Sequence, residues 1–234
     1  MAGKIVLVAT PIGNLGDLSS RAIAAMSEAD LWLVEDTRVT GKLQSHLDIR
    51  RPMRVLNEHT TDSKIESYLA EIGDRTAAVI SDGGTPGISD PGARLVDLAV
   101  EEGFEIDAIP GPSAVTTALM LSGFFAQRFV FFGFLGRKPG AIRSELAPFA
   151  DSPMTLVMFE SPFRVTQLLK VASEVLGDRR FAACREMTKI HQEIVRGNLQ
   201  SDPDSWNLSS KGEYCLVIEG KRRARLADNR DVLE

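Results

Sequence analysis

The sequence predicts an α/β protein made of two successive αβ sets, with a parallel sheet in the N-terminal half and a mixed sheet in the C-terminal half. Short runs rich in β-branched residues alternate with amphipathic helical patterns along the chain. This alternation is typical of a parallel sheet with helices on both faces. The last strand-like runs follow one another with no room for helices, so the second half is expected to end in antiparallel strands.

Five strand-like runs precede residue 110. In chain order they are KIVLVAT, LWLVED, RVLNE, TAAVIS and EIDAIPG. Helical patterns separate them, namely SSRAIAAMSEA, the segment from Thr37 to His46, DSKIESYLAEIG and PGARLVDLAVEEG. Each helical segment is long enough to cross between parallel neighbours, so a five-stranded parallel sheet is expected.

The second set begins after PGPSA. A helix through TTALMLSG comes first, then the strand FVFFGFL, a helix from Ala141 to Phe149, the strand MTLVMFE and a helix from Phe163 to Leu176. The strands FAACRE, HQEIVRG and EYCLVIEG complete it. We therefore place one domain at residues 1–112, a second at 113–220 and a polar tail at 221–234.

Composition limits the class of protein. The 234 residues are 44% apolar, and no run reaches the roughly eighteen apolar residues of a membrane span, so a soluble cytoplasmic protein is expected. Two isolated cysteines and three scattered histidines argue against a disulfide framework and against a metal site. The net charge of −5 means that a nucleic-acid partner would need local basic patches. Two exist, around Arg137, Lys138 and Arg143 and in the run KRRAR from Lys221, although such charges are often only solvated surface.

Four unusual loops follow predicted parallel strands. They are ATPIGN after the first strand, EDTR after the second, SDGGTPG after the fourth and PGPSA after the fifth. Open α/β sheets bind ligands outside the carboxyl ends of their strands, so the four loops predict one shared pocket. Glycines at 83, 84 and 87 permit positive φ and a close approach of the main chain to a ligand. Any single loop of this kind could simply close a tight turn.

Nine blocks of sequence carry a family resemblance. In order they are ATPIGNLGDLSSRA, VEDTR, SDGGTPGISDPG, PGPSAVTTAL, GFLGRK, FESPFR, REMTKIHQE, VRG and KGEYCLVIEG. Over residues 4–220 they closely resemble the ribosomal RNA small subunit methyltransferase I family of the tetrapyrrole methylase superfamily. The resemblance implies two αβα domains of the tetrapyrrole methylase type, with the cofactor S-adenosylmethionine in a cleft between them. It also implies a homodimer that methylates the ribose 2′-hydroxyl of a cytidine in the decoding centre of 16S ribosomal RNA, on the small ribosomal subunit. In the family's RNA numbering that cytidine is 1402.

The resemblance also implies site residues, position by position. Cofactor contacts are expected from Pro11, Ile12, Asp82, Gly83, Gly84, Thr85, Ile88, Ser113, Ala114, Phe159, Met187 and Gly212. For Phe159 and Met187, plain core packing is an equal alternative.

Transfer to a ribose oxygen needs positioning and removal of a proton, so a base or charge stabiliser is expected near the methyl group. We place Glu160 and Lys189 near the chemistry; Arg185, Glu186, Glu35, Asp36, Arg38 and His59 are the other candidates, and structural ion pairs are the alternative. Contacts to RNA are expected from Arg38, Arg137, Lys138, Arg143, Arg164 and Arg185.

Two other functions stay open. A methyltransferase acting on a tetrapyrrole ring would share the fold and the cofactor, although EDTR, FESP and the basic turn argue against it. A binding module that holds a nucleotide or S-adenosylmethionine without turnover is the other alternative.

Overall fold

The computed structural model describes residues 3–222. The chain divides between Ala114 and Val115 into two compact units, each with its own sheet. The part of the predicted polar tail from Arg223 onward lies outside the described residues. Within the described part, no helix combines the length and the apolar character needed to cross a bilayer.

The described residues of the first unit form five parallel strands, four α-helices and a short 3-10 helix at Leu15–Asp17. The strands are β1 (Lys4–Val8), β2 (Leu31–Val34), β3 (Met53–Val55), β4 (Thr76–Ile80) and β5 (Glu105–Ile109). The helices are α1 (Ser20–Glu28), α2 (Thr37–Leu47), α3 (Asp62–Ile72) and α4 (Ala93–Glu101). The sheet order is β3-β2-β4-β1-β5, with every pair parallel. The prediction of a parallel sheet with helices on both faces is confirmed.

Side-chain alternation along β2 shows how this sheet is covered. Leu31 and Leu33 belong to one buried cluster, whereas Trp32 and Val34 belong to another. Successive side chains of a strand point to opposite faces, so a run that is apolar at every position supplies both clusters. β5 departs from this pattern, since three of its five residues are exposed. Among the described residues it pairs with β1 alone, at the edge of the sheet.

The second unit contains a mixed sheet. Its elements are α5 (Ala114–Ser122), β6 (Phe129–Phe134), α6 (Pro139–Leu146), β7 (Thr155–Glu160), α7 (Val165–Leu176), β8 (Arg180–Arg185), β9 (Glu193–Asn198) and β10 (Tyr214–Ile218). The sheet order is β6-β7-β10-β8-β9; β6 and β7 are parallel, and the other neighbours are antiparallel. The predicted antiparallel end of this half is confirmed.

One predicted helix differs in its bounds. The segment predicted as a helix from Ala141 to Phe149 begins earlier, at Pro139, and changes to a 3-10 turn at Ala147–Phe149. Pro148 lies in that turn and has no amide hydrogen for an α-helical bond, which explains the end of the α-helix.

Candidate active site

Hydrogen bonds join the loops that follow three strands of the first unit. Thr10, after β1, exchanges two main-chain bonds with Gly84, after β4: its N–H donates to the Gly84 oxygen at 2.9 Å and its oxygen accepts from the Gly84 N–H at 3.0 Å. The Thr10 hydroxyl donates to the carbonyl of Ser81. The Thr85 hydroxyl donates to the carbonyl of Pro112, after β5, at 3.3 Å. These loops therefore meet at the carboxyl edge of the sheet.

Glycine is what allows the main chains to approach at this edge. Gly84 has a φ of 96°, a region that residues with a Cβ rarely adopt. A Cβ on Gly83 would lie 3.4 Å from the carbonyl oxygen of Pro11, and one on Gly84 would lie 3.4 Å from Ile12 Cγ2. The result is a cradle made mainly of backbone. Its donors and acceptors, few of them on side chains, suit a polar nucleotide ligand.

An acidic pocket of about 580 Å³ lies in the same unit and shares the loop from Ser81 to Gly92. Its carboxyl groups come from Glu35, Asp36, Glu58, Asp82 and Asp90, and its apolar lining includes Leu56, Ile65 and Leu95. Arg94 also lines it, but its guanidinium pairs with Asp62 at 2.8 Å and with Asp97 at 2.5 Å. The pocket therefore carries an excess of negative charge.

Burial and mutual repulsion set the protonation of these carboxyl groups. Burial, then the charges of Glu35 and Asp82, raise the pKa of Asp90 to about 6. Burial and the charge of Asp82 raise the pKa of Glu35, and burial also raises the pKa of Asp82. By contrast, hydrogen bonds from Arg38 lower the pKa of Asp36 to about 2. Asp90 thus changes charge closer to neutral pH than an ordinary aspartate, which is favourable for a catalytic acid or base.

Comparison with known proteins identifies the family. Residues 4–201 match the tetrapyrrole (corrin/porphyrin) methylases. A ribosomal RNA small subunit methyltransferase I of Mycobacterium bovis is 46% identical over 94% of this chain and 78% of its own length. Its namesake from Thermotoga maritima is 40% identical over 94% of this chain and 99% of its own length. The chain belongs to the ribosomal RNA small subunit methyltransferase I family. It is therefore a methyltransferase.

Solved structures of methyltransferases share the fold at low sequence identity. The methyltransferase CobJ superposes with a TM-score of 0.65 at 19% identity, covering 95% of this chain and 97% of its own. A uroporphyrin-III C-methyltransferase of Thermus thermophilus, solved with S-adenosylhomocysteine, has a TM-score of 0.65 at 17% identity and covers 92% of this chain and 97% of its own. At such identities the likeness is evidence for the fold alone.

Within this methyltransferase family fold, the cofactor residues predicted in the first unit lie on the joined loops. Pro11 and Ile12 face Gly83 and Gly84 across the cradle, and Thr85 reaches the loop after β5. Asp82 lines the acidic pocket, and Ile88 is 50% exposed in the same loop. Ser113 and Ala114 follow Pro112 directly. Their roles in cofactor binding stay predictions, although the cradle fits such a ligand.

The cofactor residues predicted in the second unit pack tightly. The ring of Phe159 lies 5.0 Å from that of Phe131 and 5.6 Å from that of Phe134, and Met187 is buried. A Cβ on Gly212 would lie 2.6 Å from Glu186 Cγ. These contacts agree with core packing, and the contacts of these residues with the cofactor stay predictions.

The two residues predicted to lie near the chemistry are both ion-paired. Glu160 is buried, and its Oε2 lies 3.1 Å from Arg164 Nη2. Lys189 Nζ donates to Glu186 at 3.0 Å and to Glu213 at 2.9 Å. Burial alone would lower the pKa of Lys189, but these two hydrogen bonds outweigh it and raise that pKa. A lysine with a raised pKa stays protonated at neutral pH, so Lys189 is not suited to accepting a proton, and its ammonium is already bound by two carboxylates.

The predicted RNA contacts fall into two groups. Four of the six arginines and lysines have internal partners. Arg38 pairs with Asp36, Arg143 with Glu174, Arg185 with Glu193 and Arg164 with Glu160. Arg137 and Lys138 are exposed, and among residues 3–222 neither has an acidic partner. These two therefore keep their charge available for a phosphate.

Sequence reasoning did not single out Asp90, although it lies inside the block SDGGTPGISDPG. The raised pKa of Asp90 depends in part on the charge of Glu35, which reaches the same pocket from the loop after β2. The available signal was weak: an aspartate in a glycine-rich loop at the carboxyl end of a strand.

Proposed function

We propose that this methyltransferase transfers the methyl group of S-adenosylmethionine to the ribose 2′-hydroxyl of a cytidine in the decoding centre of 16S ribosomal RNA, at position 1402 in the family's RNA numbering. The substrate is the assembled small subunit, and the enzyme works in the cytoplasm as a homodimer. The observation that carries the proposal is that one loop, from Ser81 to Gly92, supplies both the glycines of the main-chain cradle and Asp90 of the acidic pocket. A methyl donor in the cradle and a ribose acceptor in the pocket would thus both contact this loop.

The cradle is the proposed cofactor site. S-adenosylmethionine, when bound, supplies a methyl group already activated on a sulfonium. The chain then has to hold and orient the cofactor, keep water out and remove a proton from the acceptor. Gly83 and Thr85 offer main-chain groups for the first task, and Ile12 and Ile88 offer apolar surface beside them. The main-chain groups of Gly84 are bonded to Thr10 and keep the two loops together.

The acidic pocket is the proposed site of the target nucleoside. Its negative charge disfavours a phosphate, whereas carboxylates accept hydrogen bonds from the exocyclic amine of cytosine. Its volume of about 580 Å³ falls in the range of small-ligand pockets. A flipped-out cytidine matches this lining better than a ring bearing many carboxylate groups, which the pocket would repel.

Asp90 is the proposed proton acceptor. At pH 7 to 8 a carboxyl group with a pKa of about 6 is mostly ionised yet more basic than an ordinary aspartate. With the cofactor bound, the Asp90 carboxylate would accept the proton of the ribose hydroxyl as the ribose oxygen bonds to the methyl carbon. The bond from that carbon to sulfur would break, and S-adenosylhomocysteine would leave. Glu35 and Asp82 contribute by raising the pKa of Asp90, as their charges lie close to it.

Relatives named for ribosomal RNA favour this substrate over a tetrapyrrole. The M. bovis and T. maritima relatives are 40–46% identical to this chain, whereas the uroporphyrin-III C-methyltransferase of T. thermophilus shares only its fold, at 17% identity. The exposed pair Arg137 and Lys138 supplies the local positive charge that a negatively charged protein needs to meet RNA.

Labelled methyl transfer tests the proposal. Undermethylated small subunits incubated with the protein and labelled S-adenosylmethionine should acquire label on a ribose, located by mapping the modified nucleotide. Asp90→Asn should lower the rate by about 10²- to 10⁴-fold with S-adenosylmethionine affinity intact, as expected for loss of a general base. Asp204→Asn, at an exposed aspartate of the second unit, is the matched control and should keep full activity. Label on a uroporphyrinogen-type ring, or cofactor binding without transfer, would refute the proposed function.

A further inference from the structure

The carboxylate of Glu160 is held inside the second unit at the end of β7. Its side chain is 1% exposed. Oε1 accepts a hydrogen bond from the N–H of Ser161 at 2.7 Å. Within residues 3–222, Oε2 has no hydrogen-bond partner of good geometry, and the guanidinium of Arg164 lies 3.1 Å from it. A buried carboxylate with so few donors depends on that opposite charge.

Arg164 connects this carboxylate to a second element. Its Nη2 donates to the carbonyl of Leu135 at 3.2 Å and to that of Gly136 at 3.0 Å. Both belong to the loop that follows β6. Arg164 also occupies the N-cap of α7 and makes no capping bond from its side chain. A positive charge is unfavourable at the N-terminus of a helix, so helix stability does not explain an arginine there.

The loop that Arg164 contacts is fixed from its other side as well. The N–H of Gly136 donates to Glu145 Oε1 at 3.0 Å. A Cβ on Gly136 would lie 2.6 Å from the Cβ of Ala141, so this position has no room for a side chain. Leu135 is buried. The next two residues, Arg137 and Lys138, are the exposed cations described above.

We propose that Arg164, held by Glu160, is a positioning residue that sets where Arg137 and Lys138 stand, and that it acts on RNA through them rather than by touching phosphate. The proposal rests on the RNA methyltransferase function given above. It differs from the sequence-based prediction, in which Arg164 contacts RNA directly. One nitrogen of Arg164, Nη2, makes the contacts with the carboxylate and with both carbonyls. The side chain of lysine is one bond shorter, so its ammonium would not reach the position of Nη2.

Salt dependence distinguishes a positioning role of Arg164 from direct binding of a phosphate by Arg164. The KM for undermethylated small subunits would be measured with Arg164→Lys between 50 and 200 mM salt at constant Mg²⁺. Each lost phosphate contact lowers the slope of log affinity against log salt by about 0.7 to 0.9. We expect Arg164→Lys to lower that slope by about 1.4 to 1.8, as the double change Arg137→Ala with Lys138→Ala does. In the background of that double change, Arg164→Lys should alter KM by less than about twofold, because the contacts it would disturb are already absent.

The controls keep folding apart from positioning. The kcat and the affinity for S-adenosylmethionine should stay within about twofold of the wild type, since the donor cradle lies in the first unit. Arg180→Lys, at an exposed arginine of β8 paired with Glu219, should leave both KM and slope unchanged. Gly136→Ala moves the same loop while Arg164 itself is unchanged, and it should reproduce the loss of slope.

Two results would overturn the inference. An unchanged KM and slope in both Arg164→Lys and Gly136→Ala would mean that the loop does not need this support. The second result is a salt slope that Arg164→Lys leaves unchanged but Arg164→Ala lowers, also in the protein that lacks Arg137 and Lys138. It would mean that Arg164 itself binds a phosphate. Failure of the wild-type protein to label any subunit would instead refute the proposed function.

Discussion

Asp90 is an aspartate whose charge is governed by its surroundings rather than by a basic partner. Burial is the main reason that its pKa lies near 6, and the charges of Glu35 and Asp82 add to it. The only arginine lining the pocket within residues 3–222 is Arg94, which Asp62 and Asp97 already neutralise. Ionisation of Asp90 is therefore less favourable in the folded protein than in water. Its carboxylate is for that reason a stronger base than that of an ordinary aspartate.

That cost predicts how stability depends on pH. The folded pKa of Asp90 is above the 3.8 of an unperturbed aspartate, so between about pH 4 and 6 the folded state binds a proton that the unfolded state has released. The contribution of Asp90 to the free energy of unfolding is therefore largest at low pH and is lost as the pH rises through about 6. Because the group is partly solvated, we expect Asp90→Asn to stabilise the protein by only about 1 kcal/mol at pH 8.

Urea unfolding at pH 5 and pH 8 measures the effect, with Asp204→Asn as the control for an exposed aspartate. The increase in the free energy of unfolding that Asp90→Asn gives over the wild type should be smaller at pH 5, where Asp90 of the folded wild type is mostly protonated. An equal gain at both pH values would show that the burial of Asp90 has no effect on its titration.

At the scale of elements, the cradle depends on the conformation of the loop after β4. Gly84→Ala places a Cβ at a φ of 96°, which costs about 1 to 2 kcal/mol unless the loop moves. Because Gly84 is bonded to Thr10, any movement disturbs the loops after both β1 and β4. We expect calorimetry to show at least about tenfold weaker binding of S-adenosylmethionine, equivalent to about 1.4 kcal/mol.

Gly103→Ala is the matched control for that change. Gly103 has a φ of 79° with no atom within 4 Å of an added Cβ, and it lies before β5, at the opposite edge of the sheet from the cradle. It should lose similar stability yet bind the cofactor normally. Equal losses of affinity in both variants would mean that general destabilisation, and not the cradle, accounts for the effect of Gly84→Ala.

Local pattern was enough to predict most elements, because buried parallel strands and amphipathic helices have different periods. It did not reveal that β5 is an edge strand, since edge position depends on which strands pair. The loops of the candidate site were predictable, as glycine and proline follow directly after strands. The contact of Arg164 with Leu135 was not, because the two are 29 residues apart in sequence and meet only when β6 and β7 pair.

At the scale of the whole molecule, the net charge of −5 opposes association with RNA. Many exposed cations are also neutralised by their neighbours, as Lys4 is by Glu105 and Asp107. Attraction to a polyanion must then come from a few local charges that keep no acidic partner. Arg137 and Lys138, in the loop that follows β6, are such a pair among the described residues.

A small number of phosphate contacts predicts a moderate dependence of activity on salt. With two contacts, raising monovalent salt fourfold, from 50 to 200 mM, should raise the KM for small subunits by about 7- to 12-fold. The affinity for S-adenosylmethionine, measured by calorimetry over the same range, should change by less than about twofold, because the cradle binds through main-chain dipoles. Constant Mg²⁺ and a sedimentation check of the subunits guard against unfolding of the RNA. A KM that does not change with salt concentration would show that this acidic enzyme binds its substrate through shape complementarity rather than through charge.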